Sequence, residues 1–255
     1  MRQAQPTDEE SLCLTCVGTG DAFGSGGRLN SCYHLQQQEH RLLLDCGSSS
    51  LIGLQRCGLR PADIGAVVVS HLHGDHFGGI PYLLLEGKYV SQRRSQLTLI
   101  GPAALQQRVE VTLNALYPGV LEEGLGFPVN YLILDPEEKL QVEGFQLSCQ
   151  KLRHGRSAEV YGLRVEIFDK TISYTGDTEW AANLIPLAQG SDLLIAECFA
   201  YAQPAASHLS YQTLLRRADE LGTRRLVLTH MGPEVLAQLG SLELETLNDG
   251  DIIVL

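Results

Sequence analysis

The chain has 255 residues, 44% hydrophobic and 19% charged, an ordinary globular composition long enough to bury a large core. Its net charge of −11 argues against a broad basic surface for nucleic acid. No apolar run approaches a membrane span, and the acidic start "MRQAQPTDEE" lacks the apolar stretch of a secretory signal.

The first apolar runs, 12–17 ("LCLTCV"), 31–35 and 41–46, read as strands, with the glycine-rich loop 18–27 between the first two. Cys13 and Cys16 form a CxxC with no second pair, which reads as core packing; seven cysteines, an odd number, suggest reduced thiols in the cytoplasm. Residues 48–58 read as a helix between a serine cap and a closing glycine. Residues 65–70 ("GAVVVS") form a wholly apolar strand, expected in the middle of a covered sheet. The stretch 91–96 ("SQRRSQ") is loop-like. Strands follow at 145–152, 160–168, 171–176 and 192–198, then an amphipathic helix at 211–222 and a strand at 224–230. The tail 242–255 predicts two antiparallel strands joined by a turn at Asn248-Asp249-Gly250. Both halves run strands and then helices, which suggests two packed sheets with helices outside.

Directly after the apolar strand comes "SHLHGDH", 70–76. In extended chain, side chains two apart point the same way, so His71 and His73 project together. Gly74 permits a bend, and Asp75 and His76 follow. Four coordinating groups in six residues suit two neighbouring cations, each needing ligands from elsewhere. His154, Asp177 and His230 each follow an apolar run, where the loops of one sheet edge gather.

HxHxDH at 71–76 with the later His, Asp and His resembles the metallo-β-lactamase fold superfamily. The likeness runs from about Leu12 to the end and includes "GTGDAF", "LLLDCG", "HLHGDHFGG", "YTGDT", "AECF" and "LTHM". Within the superfamily the chain is most similar to the ribonuclease Z and phosphodiesterase branch. The resemblance implies one four-layer αββα domain over 1–255, with 1–11 a flexible segment, and a homodimer. It implies that His71, His73 and His154 hold one metal, that Asp75, His76 and His230 hold a second, and that Asp177 bridges them. The cofactors are then two divalent ions, zinc by default, with manganese or iron accepted by the same donors. Asp45 matches the family's aspartate that orients the ligand loop from behind, or it caps the helix near Ser48.

The candidate catalytic residues are Asp75, His208 and Glu197. His208, in "HLS", resembles the branch's proton-donating histidine; the alternative is a helix cap. Glu197 would orient it, although Ala196 stands where relatives carry a histidine. A pair of metals suits hydrolysis of a small or nucleotide-like phosphodiester. The ribonuclease Z arm for tRNA lies between the third metal histidine and the bridging aspartate. Here that interval is 177 − 154 = 23 residues, enough for one hairpin, so RNA is disfavoured as a partner. An armless ribonuclease Z-type endonuclease and a thioester or lactone hydrolase are the alternatives. Lys88, Arg93 and Arg94 form a basic cluster, and Arg153 and Arg156 flank His154; each set reads as a phosphate contact or as a solvated face.

Overall fold

The computed structural model describes residues 11–155, 159–203 and 207–255. Arg156 and residues 1–10 of the expected flexible segment lie outside them. In chain order the strands are β1 (Cys13–Gly18), β2 (Cys32–Gln37), β3 (His40–Leu44), β4 (Ala66–Val68), β5 (Leu97–Gly101), β6 (Val129–Ile133), β7 (Leu140–Val142), β8 (Phe145–Lys151), β9 (Tyr161–Ile167), β10 (Lys170–Tyr174), β11 (Leu193–Glu197), β12 (Leu226–Thr229), β13 (Glu245–Thr246) and β14 (Ile252–Val254). They form two seven-stranded mixed sheets, ordered β14-β1-β2-β3-β4-β5-β6 and β13-β12-β11-β10-β9-β8-β7.

Alternation makes the central core. Phe145, Leu147 and Cys149 of β8 and Tyr161, Leu163, Val165 and Ile167 of β9 point inward against Leu14, Tyr33, Leu35, Leu42 and Leu44 of the first sheet. The wholly buried β4 pairs parallel with β3 and β5, as its unbroken apolar run requires. The opposite face of the first sheet meets α1 (Ser50–Arg56), α2 (Gly74–Phe77), α3 (Ile80–Tyr89), α4 (Leu105–Leu116) and α5 (Val120–Glu123) through Leu54, Phe77, Leu84, Val109 and Val120. The outer face of the second sheet meets α6 (Leu184–Ala188), α7 (Tyr211–Arg217) and α8 (Pro233–Leu236) through Leu187, Leu214 and Val235. This is the expected four-layer αββα sandwich.

The expected hairpin of the tail does not form. β13 pairs parallel with β12 in one sheet, and β14 pairs antiparallel with β1 in the other. The turn at 248–250 is real, but it carries the chain across the sandwich. Asp249 anchors it by accepting from the Thr19 amide and hydroxyl and from the Leu29 amide at 2.7–2.9 Å. The expected helix over 211–222 is α7 followed by a 3₁₀ turn, Ala218–Leu221, closed by the left-handed Gly222.

Two further expectations are corrected. Asp45 caps no helix: Ser49 is the N-cap of α1. Two members of the basic cluster are already engaged within the protein, and Arg94 is exposed. Arg93 is buried and donates to the carbonyls of Ile64, Ser95 and Gln96 at 2.7–2.9 Å. Lys88 pairs with Glu123 at 2.8 Å. Arg93 closes the loop after α3, and Lys88 ties α3 to α5.

Candidate metal centre

Every sequence-predicted ligand leaves the C-terminal end of a strand: His71 to His76 after β4, His154 after β8, Asp177 after β10 and His230 after β12. The sandwich brings them to one edge. His71, His73, His154 and Asp177 form one group of converging donors; Asp75, His76, Asp177 and His230 form a second.

In the first group His73 Nδ1 lies 3.1 Å from His71 Nε2 and 3.2 Å from His154 Nε2. Asp177 Oδ2 lies 3.8 Å from both of those Nε2 atoms. In the second, His76 Nε2 and His230 Nε2 are each 3.2 Å from Asp75 Oδ2, and 3.3 and 3.4 Å from Asp177 Oδ1. Donors bound about 2.0–2.1 Å from one tetrahedral cation stand about 3.3 Å apart, so the spacing fits two such ions. The buried His76 Nε2 and Asp177 Oδ1 also lack any hydrogen-bond partner, as atoms facing a cation would.

The electrostatics agree. Burial disfavours charged His76, but Asp177, Asp45 and Asp75 outweigh it and push its pKa well above the ordinary value. Burial likewise opposes the cation of His230, while Asp177 and Asp75 push it up to about 9. Burial lowers His71. Burial raises Asp177, and His230 and His76 overcome it to hold the carboxyl well below its usual range. These opposed shifts come from imidazoles and carboxylates set close together, and a cation would displace any proton they hold.

Behind the ligands, Asp45 Oδ2 accepts from His76 Nδ1 at 2.6 Å and from the Ser70 hydroxyl at 2.9 Å. The Ser207 carbonyl accepts from His154 Nδ1 at 2.8 Å. Close backbone contact fixes the loops. The Cys46 amide donates to the His76 carbonyl at 2.7 Å and the Gly79 amide to the Cys46 carbonyl at 2.8 Å. A Cβ on Gly79 would stand 2.2 Å from the Gly47 carbonyl, so only glycine permits this approach.

His208 caps no helix. Ser210 caps α7, its hydroxyl accepting from the Thr213 amide. His208 Nδ1 instead lies 2.9 Å from Glu197 Oε1 and 4.0 Å from Asp177 Oδ2. Phe199 lies against its ring at 4.8 Å. Glu197 is buried and also accepts from the amides of Thr178 and Phe199. Burial raises its pKa. Burial opposes charge on His208, and the Glu197 bond outweighs it to raise that pKa. The pair meets without the histidine that Ala196 replaces. Arg153 is exposed beside His154. The Ser70, Ser207 and Phe199 contacts, and one from Tyr174, were not visible in the sequence, because none of these residue types signals such a role.

An array of imidazoles and carboxylates, all but His73 buried, at the rim of an αββα sandwich defines a metal-dependent hydrolase of the metallo-β-lactamase fold, in its ribonuclease Z and phosphodiesterase-like branch. A family profile described as "Anti-Pycsar protein Apyc1" matches residues 12–246, and the chain belongs to that family. The Bacillus subtilis protein named "Probable metallo-hydrolase YhfI" is 28% identical over 226 residues, 86% of each chain. The crystal structure of YhfI superposes with a TM-score of 0.77, covering 96% of this chain and 99% of that one. Ribonuclease Z of Listeria welshimeri is 26% identical, covering 86% of this chain and 88% of the relative. The short form of human tRNase Z, ELAC1, gives a TM-score of 0.75 at 25% identity, covering 94% and 98%.

Proposed function

We propose that the protein is a binuclear phosphodiesterase acting on a small or nucleotide-like phosphodiester. The observation that carries this reading is the His208–Glu197 pair beside the aspartate common to both donor groups. His71, His73, His154 and Asp177 would hold one ion, and Asp75, His76, His230 and Asp177 the other. Zinc suits these nitrogen and oxygen donors. Such a pair, when bound, supplies hydroxide near neutral pH and offsets the charge developing on phosphate.

The chain's own residues supply the rest. Glu197 takes the hydrogen bond from His208 Nδ1 and stabilises the imidazolium, whose Nε2 would then hold the proton a leaving alkoxide needs. The Glu197 bond outweighs burial and raises the pKa of His208, the direction a proton donor needs. A thiolate leaving group needs no such donor, so the pair favours a phosphodiester over a thioester. The tight β9–β10 connection, with Ile167 paired to Lys170, leaves no arm among the described residues between His154 and Asp177, which favours a small substrate over tRNA. Likeness to ribonuclease Z keeps an RNA substrate as the second reading. A cytoplasmic homodimer belongs to the proposal; all seven cysteines are free, and no helix among the described residues is long and apolar enough to cross a membrane.

The test is turnover of a cyclic nucleotide diester, whose leaving group is a sugar alkoxide, by zinc- or manganese-loaded protein, wild type beside His208→Ala. A rate loss of about 10²–10⁴-fold with both ions retained is expected, and a much smaller one with bis(p-nitrophenyl) phosphate, whose nitrophenolate leaves without a proton. An inert wild type with both ions bound refutes the phosphodiesterase reading. Cleavage of precursor tRNA but not of the diester would favour the second.

A further inference from the structure

Tyr174 is the last residue of β10, three positions before Asp177, and it is fully buried. Its hydroxyl donates to Asp45 Oδ2 at 2.8 Å. That oxygen already accepts from His76 Nδ1 and the Ser70 hydroxyl, and Oδ1 accepts from the Ser70 amide at 2.7 Å. Three donors thus converge on Oδ2 and one on Oδ1, four in all on a carboxylate that offers about four acceptor sites. His76 and Ser70 belong to the loop after β4, in the first sheet's half of the sandwich. Tyr174 alone among these donors comes from the second sheet. Asp45 sits in left-handed backbone at φ 57°, a conformation that its own preferences disfavour and its surroundings must hold. The phenol stays a donor, because burial, with Asp45 adding to it, pushes its pKa far up.

We infer that Tyr174 is a positioning residue for the second cation. Through Asp45 it fixes the His76 imidazole, and so ties the packing of one sheet on the other to the donor set of Asp75, His76 and His230. Without the hydroxyl, the buried Asp45 carboxylate loses the one donor that comes from the second sheet. It turns, and His76 turns with it. The inference rests on the metal-site reading and not on the identity of the substrate. Tyr33 supplies the control. Its ring lies 5.1 Å from that of Tyr174, but its hydroxyl bonds the Thr229 hydroxyl.

The experiment compares wild type, Tyr174→Phe and Tyr33→Phe in the full chain. It reads zinc affinity against a chromophoric chelator, bound ions by native mass spectrometry, and the imidazole N–H proton resonance of His76. Tyr174→Phe should weaken one of the two ions by about 10–100-fold and shift that resonance, while Tyr33→Phe does neither. A Tyr174→Phe protein that melts lower but keeps both affinities and the resonance overturns the inference, because the hydroxyl is then structural only. Should that variant fail to fold, fluorotyrosine at position 174 keeps the ring and makes the phenol more acidic. The His76 resonance must then move, and an unmoved one overturns the inference. Diester turnover is not read, so unchanged affinities leave the hydrolase reading standing. A wild type that binds no zinc overturns both.

Discussion

Gly47→Ala probes whether the metal loops are held by backbone contact. A Cβ at Gly47 would stand 2.1 Å from the Asp75 carbonyl oxygen, 2.8 Å from its carbon and 2.5 Å from the Asn30 Cβ. Such contacts do not go below about 3.0 Å, so the turn after Asp45 must retreat by about 0.9 Å from the loop that carries Asp75 and His76. Two of the three opposing atoms are main chain and cannot rotate away. The bonds from the Cys46 amide to the His76 carbonyl and from the Gly79 amide to the Cys46 carbonyl stretch with the move. Overpacking against backbone costs about 3 kcal/mol, at the upper end of its usual range, which for a chain of this length lowers Tm by about 6 °C. Because the displaced atoms carry two donors, kcat/KM should fall by about a hundredfold. Gly240→Ala is the reference, since nothing lies within 4 Å of its added Cβ. Calorimetry and metal analysis of both variants decide the matter. A Gly47→Ala protein that melts within a degree of wild type with two ions bound would refute the reasoning.

Burial holds the His34 imidazole down at about 4 from its usual 6.5, so on acidification the unfolded chain takes the proton first. The resulting stability is whole above pH 6.5 and lost on the way down to about 4. Urea melts of metal-stripped protein should show wild type losing about 2 kcal/mol more than His34→Gln between pH 7.5 and 5. Arg93→Ala should cost about 3 kcal/mol by leaving three carbonyls without their donor, yet leave KM unchanged; Arg153→Ala should raise KM and leave Tm alone. Steady-state kinetics beside thermal melts separates the two arginines. Asp249→Ala removes three hydrogen bonds that join the tail to Thr19 and Leu29, and should lower stability by about 2–3 kcal/mol in denaturant titration.

The strands that alternate or run wholly apolar, β1 to β4 and β8 to β12, were legible because each pattern is local. The region 80–144 was not. α3 buries Ile80, Leu83, Leu84 and Leu85 around most of its circumference, so it offers no clear stripe. β6 is a half-exposed edge strand without alternation, and β7 has three residues. The tail misled because a turn signal gives a reversal and not the sheet that each arm joins. Arg93 misled for a related reason: a charged run reads as solvated, and the three carbonyls that bury it come from folded loops. The converging His and Asp groups were legible because four of these residues crowd into 71–76 and the others repeat one pattern, a coordinating residue after an apolar run. Glu197 and His208 stand eleven residues apart with no local relation, and only resemblance connected them before the sandwich set them 2.9 Å apart.

What the sequence hides at the site is mostly strain and its support. Asp45, Ser207 and His230 hold φ of 57°, 76° and 51°, in the left-handed region that side chains disfavour. Each delivers a polar group to the centre: a carboxylate behind His76, a carbonyl behind His154, and an imidazole in the second donor group. Such backbone costs about 1–3 kcal/mol per residue and persists only where its surroundings fix it. Here they do. The Asp45 amide donates to Val68 and the His230 amide to Thr19. Both supports reach across from the strand or loop next door, so the centre depends on the finished sandwich. Single loops cannot preorganise it, and that is why two seven-stranded sheets stand behind so few reacting groups.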